Sequence, residues 1–232
     1  MAYEYIFDRD RCWYRGACPL ENDPEKCRCS CVRFMEMDYL FYSSEMPKAL
    51  QNPKNLVLYP DDEDLKSFRR LKEIKDNIVE WVEHGNNLFI GSEICGNGKT
   101  TWAAKLMNRY FDQIWSGNCF KDRGYFINVS DLLFEFKLSI NSNKNMDRWR
   151  SRFAEVDLVI WDDLGDDVLT PYEHQILYSI INRRIANGKA NIFTSNRLDE
   201  NLQTSIGGKL YSRVFNNSEI IELLGDDKRG TN

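Results

Sequence analysis

Asn87-Leu-Phe-Ile-Gly-Ser-Glu-Ile-Cys-Gly-Asn-Gly-Lys99-Thr-Thr-Trp-Ala-Ala-Lys-Leu-Met107 holds two different periodicities joined by a loop. The apolar run Leu88 to Ile90 reads as a buried strand. After Lys99 the apolar residues Trp102, Ala103, Leu106, Met107 and Tyr110 recur at helical spacing. Between the two lie Gly91, Gly96 and Gly98. A strand, a glycine loop, Gly-Lys-Thr and a helix together suit the phosphates of a nucleoside triphosphate. Glycines let backbone N–H groups turn inward around phosphate oxygens, and the helix N-terminus adds partial positive charge. In this reading Lys99 reaches the β- and γ-phosphates and Thr100 ligates Mg²⁺, within a loop completed by Gly96, Asn97, Gly98 and Thr101. The usual G-x-x-x-x-G-K-[ST] spacing would place the first glycine at 93, which is Glu93; Gly91 stands two residues earlier, so the loop is longer. The alternative is a glycine-rich turn before an ordinary helix.

Asp157-Leu-Val-Ile-Trp-Asp162-Asp163-Leu-Gly165 is the second informative stretch. An apolar strand ends in two carboxylates. In a nucleotide-hydrolysing site the first, Asp162, holds Mg²⁺, and the second, Asp163, orients the attacking water. Many such ATPases carry Glu at the second position, and Asp is shorter by one methylene, which implies slower or conditional hydrolysis. Two aspartates at a strand end are also common in plain turns. Ala190 to Thr194 reads as a further strand tipped by Ser195-Asn196-Arg197, where Asn196 would hydrogen-bond the γ-phosphate or the attacking water, or act as a simple turn residue.

The rest of the chain alternates strands and helices, an α/β pattern. Leu65, Phe68, Leu71, Ile74, Ile78 and Val82 mark one amphipathic helix ended by Gly85. Tyr125 to Val129 is a strand, followed by a helix over 131–140 with Ser130 as its N-cap. Thr170-Pro-Tyr-Glu173 is a helix start with Thr at the cap, Pro at the first position and Glu at the third. Glu219 to Leu224 reads as a fifth strand. In the stretch 146–153, Arg148, Arg150 and Arg152 interleave with Trp149 and Phe153. Base stacking with phosphate contact needs such residues, and an amphipathic surface helix is the alternative. Arg213 follows Gly207-Gly208 on a short helix, either solvated or supplied to the phosphates of a neighbouring subunit.

Five of seven cysteines fall in the first 31 residues: Cys12, Cys18, Cys27, Cys29 and Cys31. Thiolates this dense suit a structural Zn²⁺ held by Cys12, Cys18, Cys27 and Cys31, with Cys29 as substitute. Free cysteines in a small core and an iron–sulfur cluster stay open. Three domains are expected: a Cys-rich docking module over 1–45, a proline-bearing linker over 46–62, and the main α/β domain over 63–232. No apolar run approaches the roughly 20 residues of a membrane span. The first residues lack a basic region followed by an apolar one, so a cytoplasmic protein without membrane contact is expected. A net charge of −5 argues against coating duplex DNA by charge alone.

Gly96-Asn-Gly-Lys-Thr100, Ile160-Trp-Asp-Asp-Leu-Gly165, Phe193-Thr-Ser-Asn196 and Gly208-Lys-Leu-Tyr-Ser-Arg213, in that order, resemble the AAA+ ATPases of the bacterial and phage replicative helicase loaders of the DnaC/DnaI type. The resemblance covers about residues 65–229, and the transposition helper IstB shares the motifs. It implies an AAA+ core with a five-stranded parallel sheet flanked by helices and no substantial lid. It also implies roles: Lys99 and Thr100 at the phosphates, Asp162 on Mg²⁺, Asp163 and Asn196 catalytic, and Arg213 as an arginine finger acting in trans. Such loaders bind ATP, associate side by side through their ATP interfaces, engage single-stranded DNA and hold a DnaB-type hexameric helicase open. The Cys-rich segment would dock the helicase, and together with the compact size it looks like a phage or prophage version. A non-catalytic, nucleotide-gated protein that sequesters a replication factor, or an IstB-like helper, are the other readings.

Overall fold

The computed structural model describes residues 31–115, 120–138 and 152–228. Five strands make one sheet: β1 (Asn87–Gly91), β2 (Gly124–Asn128), β3 (Leu158–Asp162), β4 (Ala190–Ser195) and β5 (Glu219–Glu222). Their order is β2-β3-β4-β1-β5, and every pairing is parallel. β1, β3 and β4 are buried along their whole length, as expected where helices cover both faces of a parallel sheet. Side chains alternate between those faces. Leu88, Ile90, Leu158, Ile160 and Ile192 enter one core, while Phe89, Val159, Trp161 and Phe193 enter the other.

The first core is closed by α1 (Val32–Ser43), α2 (Lys48–Gln51), α3 (Leu65–Asp76), α4 (Ile78–Glu83) and α5 (Lys99–Ile114). The second is closed by α6 (Val129–Leu138), α7 (Pro171–Ala186), α8 (Asp199–Ile206) and α9 (Gly208–Phe215). The expected α/β fold with five parallel strands between helices is therefore present.

Three local features differ from the sequence reading. The single helix expected over 65–82 is broken between α3 and α4 at Asn77, whose Nδ2 donates to the Glu73 carbonyl at 3.0 Å. A short amide side chain competes there with the helix ladder. The helix after β2 begins at Val129, not 131, and its cap acceptor is Asn128 Oδ1, which receives the Asp131 N–H at 3.2 Å. Ser130 instead donates to Asp167 at 3.1 Å. The stretch 46–62 contains α2 and a short 3₁₀ turn, Pro53–Asn55. Met46 and Leu56 are buried in the same core as Met37, Leu40 and Phe41 of α1 and Leu106 and Phe111 of α5. The expected boundaries at 45 and 62 thus fall inside one packed layer over α5.

Cys12, Cys18, Cys27 and Cys29 lie outside the described residues, as do Arg148, Trp149 and Arg150. Cys31 sits ahead of α1, half-buried and in no disulfide. Phe153 is buried, its ring 5.7 Å from Tyr125 and 6.0 Å from Trp161. Arg152 lies over the Tyr125 ring and pairs with Glu45. Phe153 therefore has no face free for a nucleic-acid base. Core packing decides this, because Phe153 packs on the sheet face against Tyr125 of β2 and Trp161 of β3. Among the described residues no helix is long and apolar enough to cross a membrane.

Candidate functional site

In a parallel sheet all strands end on the same edge, and ligands bind in the crevice outside those ends. Here the edge gathers Gly91, Asn128, Asp162 and Ser195, paired Asn128 with Asp162 and Gly91 with Ser195. The loop after β1 closes over it. Gly98 caps α5 at φ 108°, a conformation that side-chain-bearing residues avoid, and a Cβ there would meet Leu58 at 2.8 Å. A cavity of about 370 Å³ results, lined by Cys95, Gly96, Gly98, Lys99, Thr100 and Thr101 from one side and by Asp163 and Asn196 from the other.

The longer loop is held by its own side chains. Ser92 Oγ accepts the Ile94 N–H at 3.0 Å and Asn97 Nδ2 at 2.6 Å. Asn97 Nδ2 also donates to the Leu223 carbonyl at 3.0 Å, so this fully buried side chain ties the loop to the end of β5 and does not line the cavity. Lys99 Nζ donates to the Ile94 carbonyl at 2.8 Å and to Asn97 Oδ1 at 3.3 Å. The inserted Glu93-Ile94-Cys95 thus supplies an acceptor for the lysine.

Asp162 is 5% exposed, and two hydroxyls converge on its Oδ1: Thr194 Oγ1 at 2.6 Å and Thr100 Oγ1 at 2.9 Å. Burial pushes its carboxyl up to about 6; Asp163 adds to the rise, and both threonine hydroxyls oppose it. Thr100 with Asp162 is an oxygen donor set of the kind that suits Mg²⁺. Asp163 follows at φ 57°, a left-handed conformation that Asp tolerates better than most residues. It is held there by its N–H to Thr194 Oγ1 at 3.0 Å, while Asn128 Nδ2 donates to its carboxylate at 3.2 Å. Burial first, and then Asp166, raise the Asp163 carboxyl above its ordinary value, while Lys99 and Asn128 pull it down. Asn196 Nδ2 donates to both oxygens of Asp166 at 3.2 Å, and its Oδ1 accepts the Cys95 thiol at 3.8 Å.

Lys99, Thr100, Asp162, Asp163 and Asn196 are thus brought together. Arg213 is not; it lines a separate surface cavity of about 510 Å³ with Tyr178, Lys209 and Ser212. Three participants were missed in the sequence: Asn128, Thr194 and Asp166. Asn128 carried a usable signal, since it is a polar residue closing an apolar strand, as Asp162 is. Thr194 and Asp166 carried none, because only the folded edge sets them against Asp162 and Asn196.

No known protein-family profile matches the chain. The chain is 27% identical over 90 residues to the replicative helicase loader DnaC of Buchnera aphidicola subsp. Baizongia pistaciae (strain Bp), a match covering 38% of this chain. It spans 37% of that relative's length. The crystal structure of the DnaC helicase loader superposes with a TM-score of 0.60 at 20% identity, over 72% of this chain and 94% of that one. DnaI gives 0.59 at 21% identity, over 79% and 94%. AMPPCP-bound DnaA from Aquifex aeolicus gives 0.61 at 20% identity, over 79% and 52%.

The fold is that of the AAA+ domains of DnaC and DnaA. In sequence and in fold the chain resembles the helicase loaders of the DnaC type. In this fold the glycine loop follows β1, the acidic pair closes β3 and the polar Asn196 follows β4.

Proposed function

We propose that this chain is an ATP-binding and ATP-hydrolysing replication protein that loads a hexameric DnaB-type helicase onto single-stranded DNA. The observation that carries the reading is the convergence of Lys99, Thr100, Asp162, Asp163 and Asn196 on one crevice at the carboxyl edge of the sheet. The likeness to DnaC and DnaI supports the loader role, and the AMPPCP bound by the Aquifex aeolicus DnaA supports the nucleotide.

In this reading Lys99 exchanges the Ile94 carbonyl for phosphate oxygens, and Thr100 and Asp162 hold Mg²⁺. The metal supplies charge neutralisation for the phosphates. Asp163 positions the attacking water once it leaves Asn128, and Asn196 orients the γ-phosphate once it leaves Asp166. Arg213 acts on the ATP of a neighbouring subunit. Cys12, Cys18, Cys27 and Cys31, with Cys29 in reserve, hold one zinc in a segment that docks the helicase; metal analysis of protein purified without chelator should give about one zinc per chain. Zinc-free, folded protein removes that part.

The test is ATP turnover with and without single-stranded DNA, beside Lys99→Ala. Turnover that rises with DNA and disappears in Lys99→Ala is expected. A second reading has its own observation: Lys99, Asp163 and Asn196 are each engaged by protein groups. A nucleotide-gated binding protein that sequesters a replication factor would bind ATP tightly and show no DNA-stimulated turnover.

A further inference from the structure

The stretch that follows β5, from Leu223 to Lys228, is bonded to the glycine loop after β1 at both ends of that loop. Where the loop begins, Leu223 N–H donates to the Gly91 carbonyl at 2.9 Å. Near its end, Asn97 Nδ2 donates to the Leu223 carbonyl at 3.0 Å, and Lys228 N–H donates to the Gly96 carbonyl at 3.0 Å. The stretch is thus a strap across the loop. The carbonyl and N–H of a trans peptide point opposite ways. With the Gly96 carbonyl spent on Lys228, the Asn97 N–H is turned to the other side of the loop. Gly96 stands at φ 79°, a conformation open to glycine.

The strap is itself held by two acids that precede α3. Asp64 is fully buried, and its carboxylate accepts the Leu224 N–H at 2.7 Å and the Gly225 N–H at 3.2 Å. Asp61 Oδ2 pairs with Lys228 Nζ at 2.5 Å, the lysine side chain largely buried and the aspartate about half exposed. Gly225 sits against both acids. A Cβ there would stand 2.1 Å from Asp61 Oδ2 and 2.6 Å from Asp64 Oδ2. Only a residue without a side chain lets the strap come this close to the two carboxylates. Neither acid lines the cavity that holds Gly96, Gly98 and Lys99, so what they do there passes through the strap.

The ladder of β5 does not require these bonds. Its register with β1 is complete from Glu219 to Glu222, before the strap begins. The loop is what gains from them. It is longer than the usual glycine loop, and glycines give up more backbone freedom than any other residue when they are fixed. A loop left free would lose that freedom on binding an anion. One already tied at Gly91, Gly96 and Asn97 has lost it before the anion arrives, which raises affinity with no added contact. Bonds to a carboxylate are the stronger kind, so the strap is a firm anchor.

We propose that Asp61, Asp64 and Lys228 are positioning residues for an anion site in the glycine loop: they fix the strap, and the strap holds the Gly96–Asn97 peptide with its N–H toward the bound phosphate. Backbone N–H groups so arranged are what an anion-binding concavity is made of. The identity of the anion rests on the nucleotide reading; the hold of the strap on the loop does not.

The experiment joins hydrogen exchange of peptides covering residues 92–98, without ligand, to calorimetric titration with AMPPCP and Mg²⁺. Both use the full chain, as wild type and as Asp61→Lys, Lys228→Asp, the two together, Gly225→Ala, Lys228→Ala and Lys228→Pro. The N–H groups of Ser92 and Ile94, bonded at 3.2 Å and 3.0 Å, report opening of the loop. Asp61→Lys and Lys228→Asp should each speed exchange there and weaken AMPPCP about three- to tenfold. The double charge reversal should bring both readings back to within about threefold of wild type. Gly225→Ala should weaken AMPPCP about tenfold or more. Lys228→Pro should act more strongly than Lys228→Ala, because proline also removes the N–H given to Gly96. Exchange in β3 and α7 should stay at the wild-type rate. Loop exchange and affinity unchanged in Gly225→Ala and Lys228→Pro would overturn the proposal. So would a loop that opens with AMPPCP affinity unchanged, or exchange raised equally in β3 and α7. A wild type that binds no AMPPCP, with variants that still open the loop, removes the nucleotide reading and upholds the strap. The Asp61 variants, at a half-exposed position, decide the matter if Gly225→Ala fails to fold.

Discussion

The Asp162 carboxyl titrates near 6 in the fold, against an ordinary value of 3.8. A carboxyl raised in this way takes up a proton on folding between those two values. Stability therefore falls as pH rises from about 4 to about 6, and stays reduced above that. Asp162→Asn should stabilise the ligand-free protein at pH 7 by about 1–3 kcal/mol, flatten that pH slope, and abolish Mg²⁺-dependent ATP turnover. Urea denaturation at pH 5 and 7 checks it, and a variant less stable than wild type at pH 7 refutes the linkage. Asn128 is the other decisive residue. Its Nδ2 holds the Asp163 carboxylate, and its Oδ1 caps α6. Asn128→Ser keeps a capping oxygen and gives up the reach to Asp163. Turnover should rise about two- to tenfold with ATP affinity unchanged, the worth of one hydrogen bond. A fall in turnover would mean that Asn128 supports the reactive geometry of Asp163 and does not restrain it.

At the scale of elements, α7 has a legible start and an unforeseen anchor. The cap expected at Thr170 forms in both directions: Glu173 N–H donates to Thr170 Oγ1, and Thr170 N–H donates to Glu173 Oε2 at 2.8 Å. The anchor is Arg184, fully buried near the other end. Its guanidinium donates to Asn191 Oδ1 at 2.8 Å, to the Val156 carbonyl at 3.0 Å, to the Ala190 carbonyl at 2.7 Å and to the Phe153 carbonyl. One side chain thus fastens α7 to the entries of β3 and β4, the strands that deliver Asp162 and Asn196. Arg184→Met preserves length and takes the guanidinium from the Val156, Ala190 and Phe153 carbonyls, while Asn191 Oδ1 keeps Trp161 Nε1 at 3.1 Å, which should cost on the order of 3 kcal/mol. A urea midpoint close to wild type would show that water replaces the guanidinium. Nothing in the local pattern signals this, because an arginine at helical spacing reads as a solvent-facing residue.

For the whole molecule, Arg213 and the cavity lined by Lys99 and Asp163 have no lining residue in common. If Arg213 works on a neighbour's ATP, the two defects are complementary. Arg213→Ala and Lys99→Ala should each be inactive alone, and an equimolar mixture should regain a measurable part of wild-type turnover. A mixture as inactive as either variant alone removes the subunit-interface role. The N-terminal layer belongs to this scale too. Proline content marked 46–62 as a linker, yet Met46 and Leu56 are 3% and 2% exposed against α5. Prolines stop regular structure but do not prevent burial; the apolar residues between them decided it.

By itself the sequence determined the α/β alternation, the five strands and the residues that gather at their ends. Local periodicity, glycine placement and capping chemistry are properties of neighbouring residues, and they need no partner from elsewhere in the chain. The tertiary structure alone decided which polar groups meet: Thr194 with Asp162, Asn128 with Asp163, Asn196 with Asp166, and Asn97 with the end of β5. Those pairs are separated by 30 residues or more, and the parallel register of the sheet is what places them side by side.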